Sequence, residues 1–326
     1  MTAQPSRHDH YPRADALRRQ RLRAATAELD ARWRAEDALP GGLIAAIDSA
    51  AGASPDEAVA ALAPWFADTG WLVERLDAGL ALIDADPFAR VPMRVVGGAE
   101  GAGGLILAER GAIRLTLQIQ PAHFAAPTKA LFIPGRSAVR ILADGGAKVC
   151  FHHVAVTPGE AVGVFVAATA LRCHSDLPRA VAAGEVWALD TAQTAFTLSD
   201  ARRDVLLLEL AVQPPSPLPV RSYDIASGQL VRAASARRDS SFRQMALALL
   251  RSSGRTDAAP FFAAETRSED FAARWSAMRE FVALDPAAAH PHLASMAVTD
   301  PHPEVRRAAA ATLALYPPAK ADPCPA

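Results

Sequence analysis

The sequence predicts a multi-domain α+β protein: N-terminal helices, a central antiparallel β-sandwich or barrel, and a short C-terminal α-solenoid. Three observations predict it. Apolar residues recur at helical spacing as far as residue 95, the periodicity shortens to that of strands between residues 96 and 213, and a helical pattern repeats from residue 239 onward. At 326 residues the chain also exceeds what one hydrophobic core usually serves. Its apolar fraction of 51% and charged fraction of 21% are those of a globular chain with material for sizeable cores.

The first element is a helix over 14–36, with Leu22, Ala25, Leu29 and Trp33 on one stripe and Arg18, Arg19, Arg21, Arg23 and Arg34 on or near its polar side. Residues 1–12 carry no periodicity and read as disordered. A second start stands at Ser54-Pro55-Asp56-Glu57. Ser54 can accept from first-turn amides, Pro55 is preset for the first helical position, and Glu57 closes a capping box. Val59, Leu62, Trp65 and Phe66 follow at helical spacing. Leu72, Val73, Leu76, Leu80 and Ile83 mark a further helix that ends at Asp86-Pro87.

After Pro92 the glycines from Gly97 to Gly104 read as a loop, since they lack dinucleotide-binding spacing. Strand patterns then occupy 113–119, 138–142, 148–156, 162–168, 185–189, 195–198 and 205–212. Asp144-Gly145-Gly146 is a hairpin signal, because glycine supplies the positive φ of a tight turn. Pro214, Pro215, Pro217 and Pro219 read as a stiff linker, followed by a short hairpin turning at Ser227-Gly228, so that 214–238 forms a linker and hairpin.

From Ser240 the chain repeats. Arg243, Arg274 and Arg306 align at spacings of 31 and 32 residues; on that register Ala246, Ala277 and Ala309 coincide, as do Leu250, Phe281 and Leu313. Pro260 falls on Pro291 and Phe262 on Leu293. Small residues alternating with large apolar ones suit stacked helix pairs. A solenoid this short needs a neighbour to pack on, and Phe261, Phe271 and Trp275 are placed to supply that contact. The segment 319–326 reads as a tail.

Two resemblances add to this reading. Gly184-Glu185-Val186-Trp187-Ala188-Leu189-Asp190, with Asp204 and the run from Val205 to Leu210, resembles the distal half of a cupin-type jelly roll, the resemblance covering 105–212. The segment Asp300-Pro301-His302-Pro303-Glu304-Val305-Arg306-Arg307-Ala308-Ala309-Ala310 resembles the HEAT-like repeats of phycobilin-lyase relatives. The second resemblance implies an α-solenoid with a protein-binding surface, on which Arg274, Arg306 and Arg307 are partner-facing candidates. It also implies that the repeated arginine braces adjacent units, so Arg274 and Arg306 are read first as structural.

The balance of 34 basic against 35 acidic residues leaves no field to hold nucleic acid or an anionic membrane. Lysine occurs only at Lys129, Lys148 and Lys320, which reads as the codon bias of a GC-rich bacterial genome. There is no apolar signal segment, no apolar run of membrane-spanning length, and an odd set of cysteines (Cys150, Cys173 and Cys324), all of which predict a cytoplasmic protein with reduced thiols. Catalytic signatures are missing: no G-x-S-x-G, no phosphate loop, no H-E-x-x-H, no C-x-x-C.

One cluster carries chemistry. Cys150 and His152 share a strand face while His153 points the other way; with His174 they form a candidate set for a divalent transition metal. Against this, the adjacent His152-His153 breaks the His-x-His pair that the cupin resemblance implies for a metal site. His290 and His292, two apart on a helix, do not share a face, and His302 reads as a helix-start residue. The favoured reading is a non-enzymatic binding or regulatory protein without a cofactor, with a cupin-like barrel for a small ligand or a peptide and HEAT-like repeats that dock a partner protein. A metal-dependent oxygenase or isomerase using Cys150, His152 and His174 is the alternative. A nucleic-acid binder is the third, disfavoured because acidic residues interleave with the arginines.

Overall fold

The computed structural model describes residues 13–97, 103–236 and 238–316. The expected disorder at 1–12, the tail at 319–326 with Cys324, His8, His10, Gly98 and Gly101 lie outside the described residues.

Five helices open the chain: α1 (Arg13–Ala38), α2 (Leu43–Ala50), α3 (Pro55–Leu62), α4 (Pro64–Ala67) and α5 (Gly70–Ala85). Leu29 and Trp33 are the buried members of the α1 stripe, and Asp37 at its end pairs with Arg75 of α5. The α3 start is the expected capping box: Glu57 N donates to Ser54 Oγ at 3.3 Å, and Ser54 N donates to Glu57 Oε2 at 2.9 Å. Asp86 ends α5 in extended backbone, where Pro87 forbids a further turn.

Thirteen strands follow among the described residues: β1 (Arg94–Gly97), β2 (Gly103–Arg110), β3 (Ile113–Gln120), β4 (Lys129–Phe132), β5 (Arg136–Ala143), β6 (Lys148–His153), β7 (His174–Ser175), β8 (Arg179–Ala180), β9 (Val186–Asp190), β10 (Thr194–Ser199), β11 (Val205–Val212), β12 (Val220–Asp224) and β13 (Leu230–Ala234). All pairings are antiparallel. They form a six-stranded sheet in the order β1-β2-β3-β11-β5-β9, a second sheet of β10-β6 with β7 and β8 on its edge, and a third of β13-β12-β4.

The large sheet is covered on both faces. Leu208, Leu210 and Val212 of β11 pack with Leu115, Ala138 and the helices α2 and α3 through Leu43, Ile47, Ala58 and Leu62. Val205 and Leu207 point the other way, onto Val139, Ile141 and the second sheet's Val149 and Leu198. A strand buried on both sides reads as a continuous apolar run, which explains the Val-Leu-Leu-Leu of β11. Each such fully buried side chain contributes about 1.5–3 kcal/mol of transfer free energy.

Four expectations are corrected here. Residues 162–168 are not a strand: Pro158–Ala161 forms a one-turn helix, α6, capped reciprocally by Thr157 and Glu160, and Ala167–Thr169 is a 3₁₀ turn. The strand expected over 148–156 stops at His153, just before that turn. Asp144-Gly145-Gly146 makes the predicted tight turn, with Gly146 N donating to Asp144 Oδ1 at 2.8 Å, but β5 and β6 then enter different sheets and do not pair. The hairpin expected within 214–238 does form, β12 pairing with β13, but β12 also pairs with β4 along Arg221–Asp224, so the hairpin belongs to the β domain and not to a linker.

The C-terminal part is helical: α7 (Arg238–Ser252), α8 (Ala259–Glu265), α9 (Phe271–Leu284), α10 (Pro286–Thr299) and α11 (Pro303–Leu315). Helix α9 packs against α7, α8 and α10, and α10 against α11. Phe262 and Leu293, equivalent by the repeat, are both buried, as are Ala277 and Ala309. Ala246 is exposed, since α7 opens the stack and is covered from one side only, and Leu247 takes the buried position instead.

Candidate functional site

Strand β6 places Cys150 and His152 on one face, as its alternation requires. His152 is fully buried. Its Nδ1 lies 2.7 Å from Ser175 Oγ and its Nε2 2.9 Å from Thr197 Oγ1, so β7 and β10 occupy both ring nitrogens. Cys150 Sγ is 4.0 Å from His152 Nδ1 and donates to the Asp176 carbonyl at 3.3 Å. Burial pushes the Cys150 thiol up and the His152 imidazolium down, so the pair rests as thiol and neutral ring.

His174 is not brought to them. It pairs with His153 on the opposite face, rings 5.3 Å apart, where His153 Nε2 also meets Asp176 Oδ2 at 3.0 Å. The three residues therefore do not fit a metal: one faces away, and the central imidazole spends both nitrogens on hydroxyls. Among the described residues no group of three or more His, Cys, Asp or Glu side chains is placed to hold an ion. Cys173 is a buried thiol raised by desolvation, a small core residue.

A carboxylate that the sequence reading passed over interrupts β11. Glu209 shares a face with Val205 and Leu207, accepts from Gln118 Nε2, and accepts from Ser137 Oγ at 3.2 Å. Burial pushes its pKa up. Both neighbours donate, so the group is held in place by hydrogen bonds without a countercharge in contact. Its role is to orient three adjacent strands.

The arginines singled out by the repeat divide. Arg274 is buried: Nε and Nη2 donate to the two oxygens of Asp300 at 2.8 and 2.9 Å, and Nη1 donates to the carbonyls of Ser268 and Glu269 at 2.9 and 3.1 Å. Arg306 repeats that clamp one unit later, its Nη1 donating to the carbonyls of Asp300 and Pro301. Both guanidiniums bind the backbone five and six residues back, so they brace the turns before α9 and α11; Arg274 is buried and Arg306 half-buried. Arg307, on the adjacent face, is exposed.

Arg307 lines a groove of about 610 Å³ between β13 and the helices α7, α9 and α11. Phe271 and Trp275 form its apolar wall, while Arg232 of β13 and Arg279 of α9 stand at its rim with Arg307. These three arginines make no ion pair with a described residue. The walls are tied together: Ser235 bonds Asp270, and Ala168 N donates to Glu304 Oε1 at 3.3 Å. His302 is buried at the same junction, stacked on Phe271 with ring centroids 4.0 Å apart, and desolvation keeps it neutral. Phe271 and Trp275 pack against the helical core and line the groove, whereas Phe261 is exposed. Arg232 and Arg279 carry no signal in the sequence, because only the pairing of β13 with β12 brings that strand to the helices.

No family model and no curated protein matches the sequence. Solved structures similar to part of the chain include a cupin domain from Bordetella pertussis Tohama I, 9% identical over 36% of this chain and 98% of that one, TM-score 0.24. A cupin superfamily protein from Desulfitobacterium hafniense DCB-2 is 8% identical over 36% and 84%, TM-score 0.24. Ectoine synthase from P. lautus is 12% identical over 37% and 71%, TM-score 0.23. These overlaps are partial, and the β domain is described by its own strand pairings. No helix among the described residues is long and apolar enough to cross a membrane.

Proposed function

We propose that the protein is a binding and regulatory protein, in which a cupin-like β domain is joined rigidly to HEAT-like repeats that dock a protein partner. The observation that supports this reading most is the groove between β13 and α7, α9 and α11. Its aromatic wall offers a buried anchor, and its rim offers guanidiniums not already committed to carboxylates, the pairing that dominates protein interfaces. The repeated Arg274 and Arg306 clamps support the HEAT-like assignment, since a side chain that fixes the same turn in successive units is what a stacked repeat requires. The metal-dependent alternative loses ground because His152 is held by Ser175 and Thr197 and His174 lies across the strand.

The test is affinity capture with the full chain beside a Trp275→Ala/Arg307→Glu variant of unchanged thermal stability. A partner that re-forms a stoichiometric complex from purified components, and is lost by the variant, supports the reading. A partner held equally by both places the interface elsewhere.

A further inference from the structure

A second groove, separate from the helical one, runs along the outer face of α1. The segment from Asp86 to Arg94 lies beside α1 in an order that matches it. Arg18 forks onto Asp86 through Nε and Nη2 at 2.6 and 2.7 Å, and Thr26 Oγ1 donates to the Arg90 carbonyl at 2.8 Å. The groove thus formed, of about 1110 Å³, reaches from Arg18 to Arg34. At 1.5 Å per helical residue that is roughly 24 Å, enough for about seven extended or sixteen helical residues of another chain.

Its chemistry is two-sided. The floor is apolar, with Leu22, Met93 and Phe88, the last 72% exposed despite its size. The rim is cationic. Arg34 is matched by Asp30 and Arg94 by Glu109, yet Arg19, Arg23 and Arg90 make no ion pair with a described residue. Arg19 and Arg23 are four apart and share a helix face, and Arg90 stands on the facing segment. In a chain whose net charge is −1, such a concentration of unmatched cations is local.

We propose that this groove docks an acidic amphipathic segment of a partner protein, with carboxylates on Arg19, Arg23 and Arg90 and apolar side chains on Phe88 and Met93. Charge complementarity selects the sign of the partner, and the exposed floor selects a chain with apolar side chains of its own. A nucleic-acid backbone would leave Phe88 and Met93 uncovered.

The experiment uses the full chain and a fluorescein-labelled synthetic peptide of about sixteen residues, with glutamate and leucine at helical amphipathic spacing, read by anisotropy. Saturable binding is expected, weakened about tenfold or more by Arg23→Glu/Arg90→Glu, several-fold by Phe88→Ala, and not at all by Arg279→Glu in the other groove. A polyglutamate peptide of equal charge should bind at least about tenfold more weakly. The idea is overturned if the labelled peptide fails to bind, if the double variant and Phe88→Ala both bind it normally while circular dichroism shows them folded, or if polyglutamate or a DNA oligonucleotide of equal charge binds as tightly.

Discussion

At the scale of single residues, burial decides what each polar group can do. Arg274 and Arg307 carry the same charge and both are partner-facing candidates in the sequence, but one is sunk against Asp300 and the other faces solvent. Replacing Arg274 by Ala leaves Asp300 buried without its countercharge, a loss of about 3–5 kcal/mol in unfolding free energy. Arg307→Ala should stay within about 0.5 kcal/mol of the parent; chemical denaturation of the two variants separates them. His152 was legible in the sequence as a strand residue on the same face as Cys150, whereas its partners were not. Ser175 and Thr197 are 23 and 45 residues away, and only the sheet pairing brings them to the ring. The pH response follows from the same burial. His152, facing Cys150, Ser175 and Thr197 with Asp176 and His153 nearby, and His302, among Phe271, Arg274, Asp300 and Glu304, both have folded pKa values depressed below the ordinary 6.5. Below about pH 6.5 the unfolded chain takes up protons that the folded protein refuses, so stability falls as pH drops through that range. Denaturation midpoints from pH 8 down to about pH 5.5, above the usual carboxylate range, should show this decline. His152→Asn should flatten it; an unchanged slope would mean the ring is not held neutral.

At the scale of elements, local signals were read correctly where they are sufficient and misread where pairing is remote. The capping box at Ser54 and the turn glycines at Asp144-Gly145-Gly146 depend on neighbours in sequence, and both take the predicted conformation. That β5 and β6 separate into different sheets depends on β11 and β10, which no local pattern reveals. The hairpin after the proline-rich segment was read from its local turn, but not its place beside β4, a strand that lies far earlier in the chain. Truncation tests this directly. A chain ending at residue 236 keeps β12 on β4 and should fold its β domain, while one ending at 213 uncovers the β4 edge and should aggregate. Within that hairpin Gly228 has φ +67°, and a Cβ there would come within 2.3 Å of the Cys173 carbonyl. Gly228→Ala should therefore cost more than about 1 kcal/mol, measurable as a lower thermal midpoint, and should disturb the turn between β12 and β13.

At the scale of the whole molecule, the junction between β domain and helices is where the account places function. Ser235 on Asp270 and Ala168 on Glu304 tie the two parts together there, and β13 and the helices line one groove. The three-part architecture was readable from periodicity, because helix and strand periods differ by nearly a factor of two. The groove was not, since its walls come from β13 and three helices whose mutual placement depends on the β12–β4 pairing. The most direct measurement is the dissociation constant of the purified complex between the full chain and its captured partner, for the parent and for Trp275→Ala/Arg307→Glu. The account predicts a loss of at least about thirtyfold, since an aromatic anchor and an interfacial arginine are each worth about 1–2 kcal/mol or more. Equal affinity for both proteins would contradict it.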